Sequence, residues 1–146
     1  MSETGLGKKQ LFIGIGVLVL TVGIGLLVTG TSSVNDKRSQ VVADVEAIRA
    51  AELSHYSKFE SYVGSDWTPQ SRFTVDAATR VWNPSAGFAE ILWEPETAPF
   101  AAYRVQLTPA GFRVEAVADI DGDGSPMRVE ATESSPATIV TPTNVY

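Results

Sequence analysis

The chain contains no cysteine. That absence excludes disulfide frameworks, thiol catalysis, cysteine-ligated metals and a lipoprotein anchor. Histidine is almost as scarce: His55 stands alone, so there is no cluster for zinc and no basis for a Ser-His-Asp relay. Basic side chains are outnumbered, 11 Lys and Arg against 17 Asp and Glu, giving a net charge of −6 and a pI near 4.7. Affinity for nucleic acid comes mainly from clustered Lys and Arg, so no nucleic-acid partner is expected. The sequence has no Walker loop, no G-x-G-x-x-G after a strand, no G-x-S-x-G and no H-E-x-x-H. Glu94 and Glu96 flank Pro95 and read as a solvated turn, not as a catalytic carboxylate pair. These absences describe a non-enzymatic protein with no small-molecule substrate.

What is present is the composition of an ordinary folded chain, 44% apolar and 19% charged over 146 residues, with room for about one domain. Its longest apolar run, Leu11–Thr29, carries no charge and is flanked by Lys8-Lys9 and by Asp36-Lys37-Arg38. As a helix rising about 1.5 Å per residue it spans roughly 28 Å, close to the hydrocarbon core of a bilayer. A cleaved signal peptide is the competing reading, with small residues at Val28-Thr29-Gly30, but the run exceeds the usual signal core. The basic flanks balance, so they do not set the orientation. Gly16, Gly23 and Gly30 recur at every seventh position, and Thr21 with Gly25 forms a small-xxx-small pair. Small residues on one face let a second helix approach closely in a membrane, so Gly16, Thr21, Gly23, Gly25 and Gly30 are the expected helix-packing face.

The composition changes at Gly30-Thr31-Ser32-Ser33. Setting aside Glu3, Lys8 and Lys9 from the totals leaves 9 basic and 16 acidic side chains beyond it, a charge of −7. Asn35 or Asp36 can cap a helix that runs to about Val63, ahead of Gly64. Its apolar residues Val41, Val45, Ile48, Tyr56, Phe59 and Val63 fall at helical spacing. Asp44, Glu46, Arg49, Lys58 and Glu60 go to the wet side, and His55 lies at the edge of the stripe as a packing or hydrogen-bonding residue. Gly64–Ser85 reads as loop, with Trp67 and Trp82 covering the helix. Short strand-like runs follow at Phe88–Trp93, Phe100–Leu107, Phe112–Ala118, Met127–Glu133 and Ala137–Val140. Tyr103, Val105 and Leu107 alternate with Arg104 and Gln106, and Thr108-Pro109-Ala110-Gly111 supplies a turn, so the flanking strands form a hairpin. The expected class is α+β: one amphipathic helix on a small antiparallel sheet of three or four strands.

Four stretches in this order resemble type IV pilins and type II secretion pseudopilins, notably pilin-like proteins of the δ-proteobacterial kind. Val45–Glu52 with His55–Phe59 and Tyr62-Val63 is similar to the exposed half of the long pilin helix. Gly87–Pro95 with Tyr103-Arg104-Val105 is similar to the first sheet strands, and Phe112–Gly124 to the final hairpin. The ending Thr141–Tyr146 recurs in such proteins. The resemblance implies a division into 1–10 cytoplasmic tail, 11–29 transmembrane helix, 30–34 linker and 35–146 periplasmic domain. It places the chain in the inner membrane of a Gram-negative bacterium. Its implied role is a structural subunit of a pilus- or secretion-type assembly, meeting other subunits through its membrane helix and acidic head. The N-terminus departs from the pattern: Gly7 is followed by Lys8, and Leu11–Thr29 has no glutamate. That departure supports a second role, an accessory single-pass subunit that docks on a larger membrane complex without forming a filament.

Asp119, Asp121, Asp123, Gly124 and Glu130 fit D-x-D-x-D-G-x5-E, the spacing of a calcium loop. Alternating aspartates turn several hard oxygens inward and the glutamate closes the sphere, so Asp119, Asp121, Asp123 and Glu130 are the candidate ligands of a structural calcium ion. Pro126 stands at position eight, where an apolar β-branched residue is usual. The alternative is a hairpin turn in which the glycines supply the unusual φ and the aspartates stay hydrated.

Overall fold

The computed structural model describes residues 33–145, Phe73 excepted. The expected membrane span and its glycine face therefore lie outside the described residues. Among the described residues no helix is long and apolar enough to cross a membrane.

The first element is helix α1, Val34–Phe59. It begins two or three residues earlier than Asn35 or Asp36 would allow as caps, because Ser33 closes a capping box. The Ser33 hydroxyl accepts the Asp36 N–H at 3.2 Å, and the Asp36 carboxylate accepts the Ser33 N–H at 3.1 Å. The helix stops at Glu60, which takes the left-handed conformation at φ 55° while its N–H caps the Tyr56 carbonyl. Tyr62 and Val63 are thus not helical. The chain folds back, and the Tyr62 ring stacks on Tyr56 and tilts against Phe112, with centroids 4.5 and 4.8 Å away.

The buried line of α1 is Val41, Val45, Ile48, Glu52 and His55, joined by Asp44. The first three are as expected. Tyr56 and Phe59 instead lie largely in solvent, and Asp44, expected on the wet side, is 6% exposed. Steps of four, three, four and three residues keep one line facing inward. That line passes through Glu52 and His55 and leaves Tyr56 one position around the helix.

Five antiparallel strands form a meander in chain order: β1 Ser65–Thr68, β2 Ala101–Thr108, β3 Gly111–Ala118, β4 Met127–Thr132 and β5 Thr138–Ile139. The β2–β3 hairpin closes at the expected turn, with Thr108 opposite Gly111 and Gly111 at φ 128°. Strand β1, in what reads as loop, adds a fifth strand by pairing with β2. The run Phe88–Trp93 is not a strand. Ser85 caps a single helical turn, α2 (Ala86–Glu90), which lies against β1, and a Cβ on Gly87 would collide with the Gly64 carbonyl. After it the Trp93 N–H returns to the Phe88 carbonyl through Leu92, which has φ 56°.

The core lies between α1 and one face of the sheet, where Tyr103, Val105, Phe112, Val114, Ala116, Met127 and Val129 meet Val41, Val45 and Ile48. Leu107, expected to join them, stands 51% exposed at the hairpin end of β2. Trp82 does not cover the helix. It packs edge-on against Trp93 at 5.2 Å and against Phe88 at 5.5 Å, and both Trp93 and Trp82 meet the Tyr103 ring edge-on. Trp67 instead lies under the Arg104 guanidinium on the other face of the sheet.

One buried bond ties these layers together: the Tyr103 hydroxyl donates to Asp44 Oδ2 at 2.6 Å. Gln40 donates to the other oxygen at 2.8 Å. Tyr103→Phe leaves a buried carboxylate short of a donor, which should cost about 1–3 kcal/mol in urea unfolding. A loss below a few tenths would show that the bond does not fix the helix on the sheet.

Candidate functional site

The acidic loop joins β3 to β4. Asp119 directly follows β3 and is 5% exposed, whereas Asp121 and Asp123 lie in solvent. Gly122 and Gly124, at φ 76° and 81°, provide left-handed turns that other residues adopt only with strain. Asp119 uses both oxygens on the loop's own backbone, accepting the N–H of Gly122 and of Gly124, each at 3.0 Å. Asp121 accepts the Asp123 N–H at 3.4 Å, and Asp123 accepts the Ser125 N–H at 2.7 Å. Each of the three aspartates offers one oxygen within 4.8 Å of the others, so this trio could hold a single cation.

Glu130 is not brought to that group. In a helix–loop–helix site the chain coils back after the loop. Here it leaves as strand β4, and three steps from Met127 at about 3.3 Å each move Glu130 roughly 10 Å along the strand. There it pairs with Glu115 across the sheet and accepts from Arg128 at 3.0 Å. Glu115 is 3% exposed on this outward face, held between Arg104 and Arg128. The four charged groups form a closed network in which Glu130 is already committed. Helix-packing residues Gly16, Thr21, Gly23, Gly25 and Gly30 lie outside the described residues.

A second polar centre, which sequence reasoning missed, closes the C-terminal end of α1. Glu52 is fully buried, and its Oε2 accepts the Val63 N–H at 2.9 Å while Oε1 has no hydrogen-bond partner. Burial, the largest cause, pushes its carboxyl up from 4.5 to about 7, against the Val63 bond and the nearby His55. His55 Nδ1 donates to the Ser61 carbonyl at 2.9 Å, and its Nε2 is 3.7 Å from Glu90 on α2. The two side chains pin the chain reversal at 60–64. Asp44 is raised in the same direction, again chiefly by burial, against the bonds from Tyr103 and Gln40. The signal available in sequence was position: Glu52 and His55 extend the line Val41, Val45, Ile48.

Comparison with known proteins finds no family model, curated protein or solved structure that matches this chain. The functional reading therefore rests on the molecule itself.

Asp119→Ala strands two loop N–H groups and should destabilise the fold by about 1–3 kcal/mol, while Asp121→Ala and Asp123→Ala cost about 0.5 kcal/mol or less. Melting the full chain with calcium and with a chelator separates the two readings of the loop. A cation held by the native trio raises the midpoint with its concentration, and equal midpoints mark an acidic turn. For Glu52, a carboxyl whose native pKa lies above its unfolded value binds more protons when folded. Its stabilisation is complete below about pH 4.5 and is lost as pH rises to about 7. Unfolding free energy should therefore fall across that window, by on the order of 2 kcal/mol. Glu52→Gln should flatten the slope, and a slope that survives the substitution assigns it to other groups.

Proposed function

We propose that this chain is a non-enzymatic, membrane-anchored subunit of a pilus- or secretion-type assembly, with a pilin-like head outside the membrane. The observation that carries the reading is continuity of layout. A charge-free apolar run, Leu11–Thr29, precedes a 26-residue helix whose inner face lies on an antiparallel sheet. The proposed location is the bacterial inner membrane, N-terminus cytoplasmic and head periplasmic. Other subunits would meet the chain through Gly16, Thr21, Gly23, Gly25 and Gly30 and through the head.

One observation favours the alternative of an accessory single-pass subunit that docks on another membrane complex. Gly7-Lys8 lacks the Phe or Met expected at a pilin processing point, and no glutamate stands in Leu11–Thr29. A carboxylate in hydrocarbon needs a charged partner, so its absence removes one means of recruiting a neighbour's amino terminus.

The test combines topology with processing. A reporter fused after Tyr146 should be active only outside the cytoplasm, and the chain should resist alkaline extraction from membranes. N-terminal sequencing then divides the roles. An intact start with the apolar run attached supports docking, and a new terminus within Leu6–Leu11 supports filament assembly. A cytoplasmic, extractable product overturns both.

A further inference from the structure

Leu92 is 90% exposed and holds φ 56°, a left-handed conformation that a branched side chain adopts at a cost. Both properties are unfavourable for a leucine. Glycine or asparagine would fit the turn better, and no described residue covers the side chain. Next to it is an open groove of about 310 Å³ whose lining includes Trp82, Pro84, Phe88, Trp93 and Glu94. Val81, beside Trp82, is 87% exposed. The floor is tightly packed, since Phe88, Trp93 and Tyr103 are buried, with Trp93 edge-on to Tyr103 and tilted against Phe88. A preformed apolar floor with an unburied leucine at its lip is the form of a docking surface.

The charge around it identifies the partner. From Val81 to Tyr103 the chain has Glu90, Glu94 and Glu96 and no Lys or Arg. Glu90 reaches only His55, and Glu94 and Glu96 have no ion pair among the described residues. A second copy is a poor occupant. Its head carries −7, and four of its nine basic side chains, Arg49, Arg80, Arg104 and Arg128, are already bound to its own acids. An anionic bilayer surface is repelled by the same glutamates. We propose that this groove binds a basic segment of a different protein, seating one apolar side chain against Trp82 and Leu92 while flanking Lys or Arg residues pair with Glu94 and its neighbours. The inference goes beyond the assembly reading and does not need it, because the groove is built entirely within the head.

The experiment uses the full chain in nonionic detergent and three short amidated peptides: lysines around a central leucine, the same with alanine, and glutamates around leucine. Tryptophan emission should shift saturably with the lysine–leucine peptide, at least about tenfold more tightly than with the alanine peptide. The glutamate peptide should give no shift, and added salt should weaken the binding. Leu92→Gly should raise the melting midpoint by relieving the turn yet weaken binding about tenfold, and Glu94→Gln should weaken binding with the midpoint unchanged. A merely structural Leu92 would not separate stability from binding. Equal binding of the two lysine peptides, or binding unaffected by Leu92→Gly, overturns the proposal. Because the chain has no cysteine, Leu92→Cys takes a unique environment-sensitive label. If that label becomes buried in anionic but not zwitterionic nanodiscs without peptide, the face belongs to the membrane and the proposal fails.

Discussion

Tyr103 holds three parts of the molecule at once. Its backbone sits in β2, opposite Thr68 on one side and Ala116 on the other. Its ring is the floor on which Trp82 and Trp93 stand edge-on, and its hydroxyl reaches across the core to Asp44 on α1. A phenol with 1% exposure must find an acceptor, and a carboxylate with 6% exposure must find donors. Each solves the other's problem only if helix and sheet stand in one register. Burial and the facing carboxylate hold the phenol pKa well above its ordinary value, so it remains a donor across the accessible pH range.

The helix is clasped again further along. Arg49 donates to the carbonyls of Thr132 and Glu133, and Glu46 accepts the Ala137 N–H, so one ion pair on α1 grips the turn between β4 and β5. Exposed ion pairs contribute little on their own. Here the partners also satisfy backbone groups that the short, two-residue β5 leaves without a ladder. The same economy governs the outer face, where Arg104 and Arg128 surround buried Glu115. A buried carboxylate with two guanidinium partners specifies the arrangement of the strands more surely than it stabilises them. Four arginines, Arg49, Arg80, Arg104 and Arg128, are occupied within the fold in this way, and the excess of acidic over basic side chains remains.

How much of this could be read in advance depended on whether a residue's role was periodic or positional. Val41, Val45 and Ile48, with the alternation of Tyr103 and Val105 against Arg104 and Gln106 and the turn at Thr108–Gly111, gave the helix, its inner face and the central hairpin. Phe88–Trp93 failed because six mostly apolar residues have no distinguishing period, and a single turn capped by Ser85 is too short to display one. Strand β1 failed for a related reason: the four residues Ser-Asp-Trp-Thr are too short to show an alternation, and they pair because β2 offers an edge. Asp44 was misplaced by charge, and Glu52 was passed over for the same reason. Their spacing pointed inward, but a carboxylate is usually sorted to water, and only the donors from Val63, Tyr103 and Gln40 make burial tolerable. In the acidic loop the spacing of Asp119, Asp121 and Asp123 did bring three oxygens together, while Glu130 followed the strand away from them.

The head therefore has two acidic regions of opposite character. In the β3–β4 loop the carboxylates turn back on their own backbone, and Asp119 has both oxygens occupied by loop amides. Along Glu90–Glu96 the carboxylates have almost nothing to turn to, and they flank apolar surface. Mutual repulsion in the loop is offset by several N–H donors within a few residues, which is a folding solution. Among the described residues no comparable donors serve Glu94 and Glu96, so these carboxylates stay open to cations from outside. Adjacent Leu92 adds backbone strain and exposed hydrocarbon to the same short segment. Two of these terms, the unpaired carboxylates and the exposed hydrocarbon, are relieved by one kind of event, the arrival of a positively charged chain carrying an apolar side chain. The loop's economy is internal and the groove's is not, and that difference locates the outward-acting surface of the head.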